Sequence, residues 1–256
     1  MTYWTNKVVL LTGASSGIGK ELSLQLGQKG AKLGLLARRQ DVLDTLVDQV
    51  RKQQGIALAL PADVRDAESL RAAADRLRLE FGPIDVMIAN AGIGTSSHAT
   101  KLKPEQVAEV ININLIGAAN GVAAVLPEMQ TRDAGHLVAI SSLSAYRGLP
   151  KSAAYCASKA GLSSFFESVR VDVRNTKIKV TIIHPGFIRT PLTAGREAKM
   201  PFLMEVDEAG RKIISAIELG KKSYAFPWQL ASVVRAGMIM PNFMYDWIAA
   251  RSSFRE

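Results

Sequence analysis

The strongest constraint on the fold of this chain is a regular alternation of short apolar runs with longer amphipathic stretches. Seven runs rich in Val, Ile and Leu are predicted as strands: Lys7–Leu11, Ala31–Ala37, Ile56–Leu60, Asp85–Ala89, Gly135–Ser141, Ile178–His184 and Ser223–Phe226. Strands that are apolar on both faces and separated by helical segments form a parallel sheet covered by helices on both sides. The sequence therefore predicts an α/β fold built on a single doubly wound parallel sheet of about seven strands.

The segments between these runs show helical periodicity. Apolar residues recur on one stripe in Gln40–Gln53 and again in Ala67–Phe81. The stretch Phe187–Met204 breaks the alternation directly after the sixth strand, which predicts a long loop that serves as a lid.

Residues 1–226 are predicted to form one domain, and residues 227–256 form an apolar tail with a break at Pro241. The tail could pack on the same domain, close over a substrate, contact another subunit or rest on a membrane surface. The sequence leaves these alternatives open.

Composition excludes several classes of protein. A hydrophobic fraction of 48% and a charged fraction of 21% are typical of a globular domain with a sizeable core. The single cysteine, Cys156, forms no internal disulfide and the first residues show no signal-peptide pattern, so a cytoplasmic location is expected.

The formal charge of +9 is scattered, which argues against nucleic-acid binding. The uncharged run Val110–Pro127 contains asparagines and glycines, which favours a buried helix over a membrane span.

A glycine-rich turn, TGASSGIGK at residues 12–20, follows the first predicted strand and opens a helical pattern. Glycine lets the backbone turn sharply and approach a pyrophosphate, whose charge meets the amides and dipole of the helix N-terminus. In this strand–turn–helix context the turn predicts a dinucleotide site. The residues expected to bind are Gly13, Ser15, Ser16, Gly17, Ile18 and Gly19.

The end of the second strand bears on which nicotinamide cofactor is bound. An acidic residue there would select NAD, whereas Arg38 and Arg39 stand in its place. Guanidinium groups suit a bidentate grip on a 2′-phosphate, which favours NADP(H). After the third strand, Asp63-Val64 is predicted to lie near the adenine, although Asp63 could equally cap the following helix.

Several polar residues are expected at the carboxyl edge of the sheet. Tyr155 and Lys159 lie four residues apart on one helical face, and a nearby ammonium favours the phenolate form of a tyrosine. Ser142 follows the fifth strand, at the edge where open α/β sheets bind ligands. Two further segments reach this edge: Asn90, Ala91 and Gly92 after the fourth strand, and Pro185, Gly186, Ile188 and Thr190 after the sixth.

From about Lys7 to Phe226 the chain resembles a classical short-chain dehydrogenase/reductase. The resemblance implies a Rossmann-like fold. The resemblance implies a catalytic tetrad of Asn114, Ser142, Tyr155 and Lys159. Tyr155 would be the general acid in reduction, Ser142 would polarise the carbonyl, and Lys159 would bind the nicotinamide ribose.

The same resemblance implies further roles. Asn114 would hold a water, Thr190 would contact the cofactor and Ile188 would neighbour the nicotinamide. The Arg38-Arg39 turn resembles the NADP-preferring branch, and a homodimer or homotetramer is implied through helices at Pro104–Met129 and Ser152–Arg174.

The expected reaction is hydride transfer between NADP(H) and a carbonyl or secondary alcohol, which needs no metal. His98, His136 and His184 lack ligand spacing and are expected to be structural, and Cys156 has no accompanying base motif that would make it a nucleophile. Two alternatives are a non-catalytic NADP(H) sensor or scaffold and a membrane-surface protein that acts through its tail. A hydrophobic substrate is predicted from an apolar lid and from two tryptophans of the tail, although these residues could instead pack among themselves. The lid residues are Phe187, Leu192, Met200, Phe202, Leu203 and Met204, and the tail residues are Trp228 and Trp247.

Overall fold

A computed structural model describes residues 2–195 and 200–251. The strands are β1 Val8–Thr12, β2 Lys32–Ala37, β3 Ile56–Pro61, β4 Val86–Ala89, β5 Gly135–Ile140, β6 Ile178–Pro185 and β7 Ser223–Phe226. The helices are α1 Gly17–Gln28, α2 Gln40–Lys52, α3 Ala67–Phe81, α4 Pro104–Ile111, α5 Gly117–Arg132, α6 Ala153–Asp172, α7 Val206–Glu218, α8 Trp228–Ile239 and α9 Asn242–Arg251. Short 3₁₀ turns cover Ala99–Lys101 and Leu143–Ala145, and a π-helical turn covers Asn112–Ile116.

All seven strands pair in parallel in the order β3-β2-β1-β4-β5-β6-β7. The chain first moves outward from β1 to β3 and then returns to β4 on the other side of β1. The order therefore reverses between β1 and β4, the place where ligands bind beside the carboxyl ends of such sheets. The predicted doubly wound sheet is confirmed, with each strand boundary within one residue of its expected position.

The sheet divides the core into two layers. On one face the apolar stripes of α1, α2 and α7 are buried, with Leu22, Leu43 and Ile213 fully enclosed. On the other face α3, α5 and α6 pack, with Leu77 and Phe166 enclosed. Both faces of β1 are buried, because Val9 and Leu11 point into the first layer and Val8 and Leu10 into the second. This explains why the strands lack polar alternation.

The expected helix at Pro104–Met129 is interrupted. Helix α4 passes into the π turn Asn112–Ile116 before α5 continues to Arg132. The whole segment Pro104–Arg132 is long and apolar enough to cross a membrane. Its Val110, Val125 and Met129 are nevertheless fully buried, and α5 packs on the sheet.

The segment Phe187–Met204 forms a loop in its described parts, tied by an isolated bridge between Ile188 and Met204. Residues 196–199 of this predicted lid lie outside the described residues. The tail forms α8 and α9 on either side of the predicted break at Pro241, and its residues 252–256 also lie outside them.

Candidate active site

A cavity of about 920 Å³ lies at the carboxyl edge of the sheet. It is lined by the loops that follow β1 to β6 and by one side of α8 and α9. Of the residues predicted to bind cofactor or to catalyse, all but Gly19 and Asn114 line this single cavity. The structure thus brings together segments that are up to 177 residues apart in sequence, from Gly13 to Thr190.

The glycine turn at the N-terminus of α1 is closely packed. Gly13 and Gly17 have φ angles of 68° and 52°, in the left-handed region that favours glycine. A Cβ atom on Gly13 would lie 2.6 Å from the Ala91 Cα atom, and one on Gly19 would lie 2.2 Å from the Gly13 carbonyl oxygen. No side chain fits at Gly13 or Gly19, and the turn and the first residues of α1 line the cavity. This cradle fits the pyrophosphate of a dinucleotide.

Asn90 and Thr12 hold the glycine turn against the loop after β4. The Asn90 Nδ2 atom donates to the Thr12 and Gly13 carbonyl oxygens, both at 3.1 Å. The Thr12 Oγ1 atom accepts from the amides of Asn90 and Ala91, also at 3.1 Å. Asn90 therefore positions the turn in addition to lining the cavity.

At the far end of the cavity, Arg38 and Arg39 follow β2 and are exposed. Asp63 is held by Arg65, whose Nε atom donates to both carboxylate oxygens at 3.0 Å. That hydrogen bond lowers the pKa of Asp63, and the charge of Arg38 lowers it further. Arg65 therefore balances the carboxylate of Asp63, which lines the cavity together with Arg38 and Arg39.

The alternative role for Asp63 as a helix cap is wrong. The cap of α3 is Asp66, whose carboxylate accepts from the amides of Glu68 at 3.0 Å and Ser69 at 3.2 Å. The physical reason is position, since an N-cap residue directly precedes the helix and α3 begins at Ala67. Asp63 lines the cavity beside Val64.

Tyr155, Lys159 and Ser142 all line the cavity. The Lys159 ammonium lies 5.9 Å from the centre of the Tyr155 ring and donates a 2.8 Å hydrogen bond to the Ile140 carbonyl oxygen at the end of β5. Burial lowers the pKa of Lys159 to about 8. The Ser142 Oγ atom accepts from the Ser144 amide at 3.1 Å, so its hydroxyl proton can be directed at a ligand.

Asn114 lies behind this group, fully buried in the π turn between α4 and α5. Its Oδ1 atom accepts from the Ile93 amide at 2.8 Å, and its Nδ2 atom donates to the Ile93 carbonyl oxygen and to Ser158 Oγ, both at 2.9 Å. Ser158 in turn donates to the Tyr155 carbonyl oxygen at 2.8 Å. Asn114 therefore joins the loop after β4 to α6. Its expected role in holding a water stays a prediction.

The loop after β6 closes the cofactor side of the cavity. Pro185, Gly186, Ile188 and Thr190 all line it. A Cβ atom on Gly17 would lie 3.3 Å from the Thr190 side chain, so this loop touches the glycine turn directly.

Beside the loop after β6 and the tail, the cavity has mainly apolar walls. The apolar residues of the predicted lid that line it are Phe187, Leu192, Met200 and Phe202, and the tail adds Leu230, Val233, Val234, Met240 and Ile248. Met204 is instead buried in the core beneath the loop. The prediction for the tryptophans is wrong, since Trp228 and Trp247 are 72% and 61% exposed and other tail residues form the wall. Periodicity explains the difference, because Leu230, Val234 and Gly237 recur on one face of α8.

The histidines at positions 136 and 184 make structural contacts. The His136 Nε2 atom lies 2.8 Å from Thr181 Oγ1, and His184 is stacked on Tyr146 with ring centres 4.8 Å apart. Burial lowers the pKa of each to about 4, so both are neutral at physiological pH. His98 caps a 3₁₀ turn, and Cys156 is buried. Within residues 2–195 and 200–251, no cluster of three or more His, Cys, Asp or Glu residues could hold a metal ion.

Arg147 lines the cavity and makes several contacts that the sequence did not predict. Arg147 lies between Ser142 and α6, and its guanidinium binds main-chain oxygens at the end of α8. An arginine in a loop has no local sequence pattern that would have revealed this.

The fold and the cavity together define a dinucleotide-binding oxidoreductase, and the chain belongs to the short chain dehydrogenase family, whose model matches residues 7–201. The chain is 41% identical over 251 residues to an uncharacterized oxidoreductase of Myxococcus xanthus. The matched residues cover 98% of this chain and 99% of that protein. A short-chain type dehydrogenase/reductase from Mycobacterium marinum has a similar solved structure, with a TM-score of 0.79, 26% identity and coverage of 87% of this chain and 93% of that chain.

Two further relatives have more specific names. The ketoacyl reductase HetN of Nostoc is 33% identical over 204 residues, covering 79% of this chain and 71% of HetN. The 11-beta-hydroxysteroid dehydrogenase-like 2 protein of Arabidopsis thaliana is 37% identical over 198 residues, covering 77% of this chain and 64% of that protein.

Proposed function

We propose that this protein transfers a hydride between NADP(H) and a carbonyl or secondary alcohol of a hydrophobic substrate. The observation that carries the proposal is the shared cavity, which the glycine turn, the Arg38-Arg39 pair and the Ser142, Tyr155 and Lys159 side chains all line. A nicotinamide cofactor bound there would supply the hydride. The chain itself has to orient the carbonyl, stabilise the developing oxyanion and provide one proton.

Tyr155 is the proposed general acid in the direction of reduction. The neighbouring Lys159 ammonium favours the phenolate form that remains after the proton has left, which makes the phenol a better acid than a free tyrosine. Because the pKa of Lys159 is about 8, this amine can itself exchange a proton near neutral pH. The Ser142 hydroxyl donates to the substrate carbonyl oxygen that Tyr155 protonates, and so orients the carbonyl group.

Asn114 and Ser158 are proposed to support these groups from behind. Their hydrogen bond of 2.9 Å and the bond from Ser158 to the Tyr155 main chain fix the start of α6 relative to the π turn. The proposed contribution of Asn114 to proton supply through Lys159 rests on their proximity: a Cβ atom on Gly92 would lie 3.3 Å from Asn114 Oδ1 and 3.4 Å from Lys159 Nζ.

The preference for NADP(H) is proposed from charge. Arg38 and Arg39 line the adenosine end of the cavity, and Arg65 balances the carboxylate of Asp63 there. A charge-assisted hydrogen bond contributes roughly 1.5–3 kcal/mol, so one contact to a 2′-phosphate would change the preference on the order of tenfold or more.

The hydrophobic substrate is proposed from the walls that the loop after β6 and the tail build. Two relatives support it, since ketoacyl and hydroxysteroid compounds both join an oxygen function to an apolar skeleton. Faster turnover of small polar sugars than of hydrophobic ketones would contradict this part of the proposal.

The decisive experiment is a titration of the purified protein with NADPH and with NADH, followed by nicotinamide fluorescence, in wild type and in Arg38→Ala. We expect NADPH to bind at least tenfold more tightly and Arg38→Ala to remove most of that difference. Arg76→Ala, which removes an exposed arginine on α3, is the matched control. If neither nucleotide binds, the oxidoreductase proposal fails and a membrane-surface role of the tail becomes the stronger candidate.

A second experiment separates an enzyme from a non-catalytic NADP(H) sensor. Tyr155→Phe keeps the ring and removes the proposed acid, so we expect NADPH binding to persist while carbonyl reduction falls by about a hundredfold or more. Binding without turnover in the wild type, over a broad carbonyl panel, would favour the sensor.

We also propose a cytoplasmic homodimer or homotetramer that associates through the α4–α5 segment and α6. Apolar side chains on these segments, Ile116 and Val171, are exposed. Light scattering of the purified protein tests this, and a monomer at micromolar concentration would contradict it.

A further inference from the structure

The loop after Ser142 is joined to the two tail helices by Arg147. Its Nη1 atom donates to the carbonyl oxygens of Gly237 and of Met240, the latter at 2.9 Å. Its Nη2 atom donates to the Asn242 Oδ1 atom at 2.9 Å. Gly237 and Met240 lie at the C-terminal end of α8, and Asn242 begins α9. One guanidinium therefore binds both helices at the point where they meet.

Tyr245 on α9 completes this arrangement. The Arg147 guanidinium carbon lies 4.0 Å from the centre of the Tyr245 ring, within the range of a cation–π contact. The Tyr245 hydroxyl donates back to the Gly148 carbonyl oxygen, next to Arg147 in the loop. We call the set formed by Arg147, Gly148, Gly237, Met240, Asn242 and Tyr245 the tail clasp.

The chemistry of arginine suits the tail clasp. Carbonyl oxygens at a helix C-terminus lack partners within the helix and carry the negative end of its dipole, which a cation stabilises. The planar guanidinium can also donate in several directions while its face stacks on an aromatic ring. A lysine would keep the charge but would lose both the fork and the stacking.

Residues 227–250 bury little apolar side chain, and outside the clasp the Arg235 guanidinium carbon lies 5.9 Å from the centre of the Tyr146 ring. In α8 the buried side chain is Ala231, whereas Val233, Met238 and Ile239 are at least half exposed. Apolar burial therefore contributes little to holding the helices, and the polar contacts of the clasp carry a correspondingly larger share.

The tail clasp also borders the proposed reaction site. Arg147, Gly237, Met240 and Tyr245 line the cavity that Ser142 and Tyr155 share. Leu230 and Val234 lie on the same face of α8 as Gly237 and contribute to the apolar wall of this cavity. Moving α8 and α9 away would remove that wall and leave the glycine turn and the catalytic residues in place.

We propose that Arg147 is a positioning and specificity-determining residue, which fastens α8 and α9 over the cavity and so adapts it to carbonyl substrates with a bulky apolar skeleton. This inference rests on the proposed function. The contribution of Arg147 is selective: a bulky ketone needs the tail wall for binding, whereas a small ketone is held mainly by Ser142 and Tyr155.

The first test requires no substrate. Hydrogen exchange of the full chain is measured by mass spectrometry in wild type, Arg147→Lys, Arg147→Met and, as a matched loss of charge on an exposed arginine of α7, Arg211→Met. We expect amides of α8 and α9 to exchange at least tenfold faster in Arg147→Met, less so in Arg147→Lys, and at the wild-type rate in Arg211→Met. Unchanged exchange in Arg147→Met would overturn the clasp.

The second test compares steady-state kinetics for a bulky apolar ketone and for a small one. We expect Arg147→Met to raise KM for the bulky ketone about tenfold relative to the small one, with a smaller effect on kcat. Tyr245→Phe, which removes only the bond to Gly148, should change the ratio in the same direction by less. An equal rise in KM for both ketones would overturn the specificity role. Faster exchange in a protein that reduces no carbonyl would retain the clasp and reject the proposed function, so the two failures can be told apart.

Discussion

The Lys159 ammonium donates a 2.8 Å hydrogen bond to the carbonyl oxygen of Ile140, and both groups are buried. One hydrogen bond does not restore the hydration that an ammonium loses on burial, and the pKa of Lys159 is lowered from 10.5 to about 8 as a result. Lys159 therefore loses its proton more readily in the folded chain than in the unfolded chain. Its charged form lowers the free energy of unfolding.

This cost predicts a specific dependence of stability on pH. Between pH 8 and 10.5 the unfolded chain keeps the lysine proton that the folded chain has released, so rising pH stabilises the folded wild type through this residue. Relative to Lys159→Met, the unfolding free energy of wild type without nucleotide should increase by on the order of 3 kcal/mol from pH 7 to 10.5. Urea unfolding at several pH values measures this. Parallel pH profiles for the two proteins would contradict it.

The two buried histidines predict a loss of stability in acid. Burial lowers the pKa of His136 from 6.5 to about 4, so below pH 6.5 the unfolded chain takes up a proton that the folded chain refuses. Stability from this source is fully present above pH 6.5 and falls as the pH drops toward 4, by on the order of 3 kcal/mol. His184 should behave in the same way.

His136→Asn should therefore show a shallower fall in unfolding free energy between pH 6.5 and 4 than wild type. The comparison uses denaturant midpoints in a single buffer series. If His136→Asn keeps the wild-type slope, His136 takes up its proton in the folded state.

Gly19 should tolerate no side chain. A Cβ atom there would lie 2.2 Å from the Gly13 carbonyl oxygen, and main-chain atoms of a tight turn cannot move aside cheaply. We expect Gly19→Ala to lose about 1–3 kcal/mol of stability or more and to bind NADPH at least tenfold more weakly. Gly148→Ala, where the added methyl meets no atom within 4 Å, should retain the wild-type melting temperature and nucleotide affinity. Equal behaviour of the two variants would show that the turn can open.

The two aspartates before α3 should have different effects on stability. Asp66 caps the helix with two amide hydrogen bonds, so Asp66→Ala should cost about 1 kcal/mol. Asp63→Ala should cost less, because the Asp63–Arg65 pair is partly exposed to solvent. Thermal unfolding of both variants provides the comparison. A larger loss from Asp63→Ala would reverse the assignment of the cap.

The sheet could be predicted because it depends on a pattern that repeats locally. Each strand is a short run that is apolar on both faces, and parallel pairing with helical crossovers then follows with few alternatives. The position of Ser142 at the carboxyl edge followed in the same way, since residues directly after parallel strands share one edge. Both predictions depend only on residues that are close to one another in the sequence.

Contacts between distant residues could not be predicted in this way. Arg147 binds the Gly237 carbonyl oxygen 90 residues later, and Asn114 binds Ser158 44 residues later. The sequence also predicted that Trp228 and Trp247 contribute to the apolar wall, but both are exposed and the inner face of α8 forms the wall instead. Hydrophobicity alone does not show which face of a helix points into the cavity.

The match to the family model ends at residue 201, whereas α8 and α9, which form much of the apolar wall, begin at Trp228. The segment that shapes the pocket is therefore outside the seven-stranded sheet and contributes no strand pairing to it. Substitutions in these last two helices can accumulate during divergence without disturbing the machinery that holds the nucleotide. In this architecture a new chemical preference can arise at the end of the chain while the reaction itself is inherited intact.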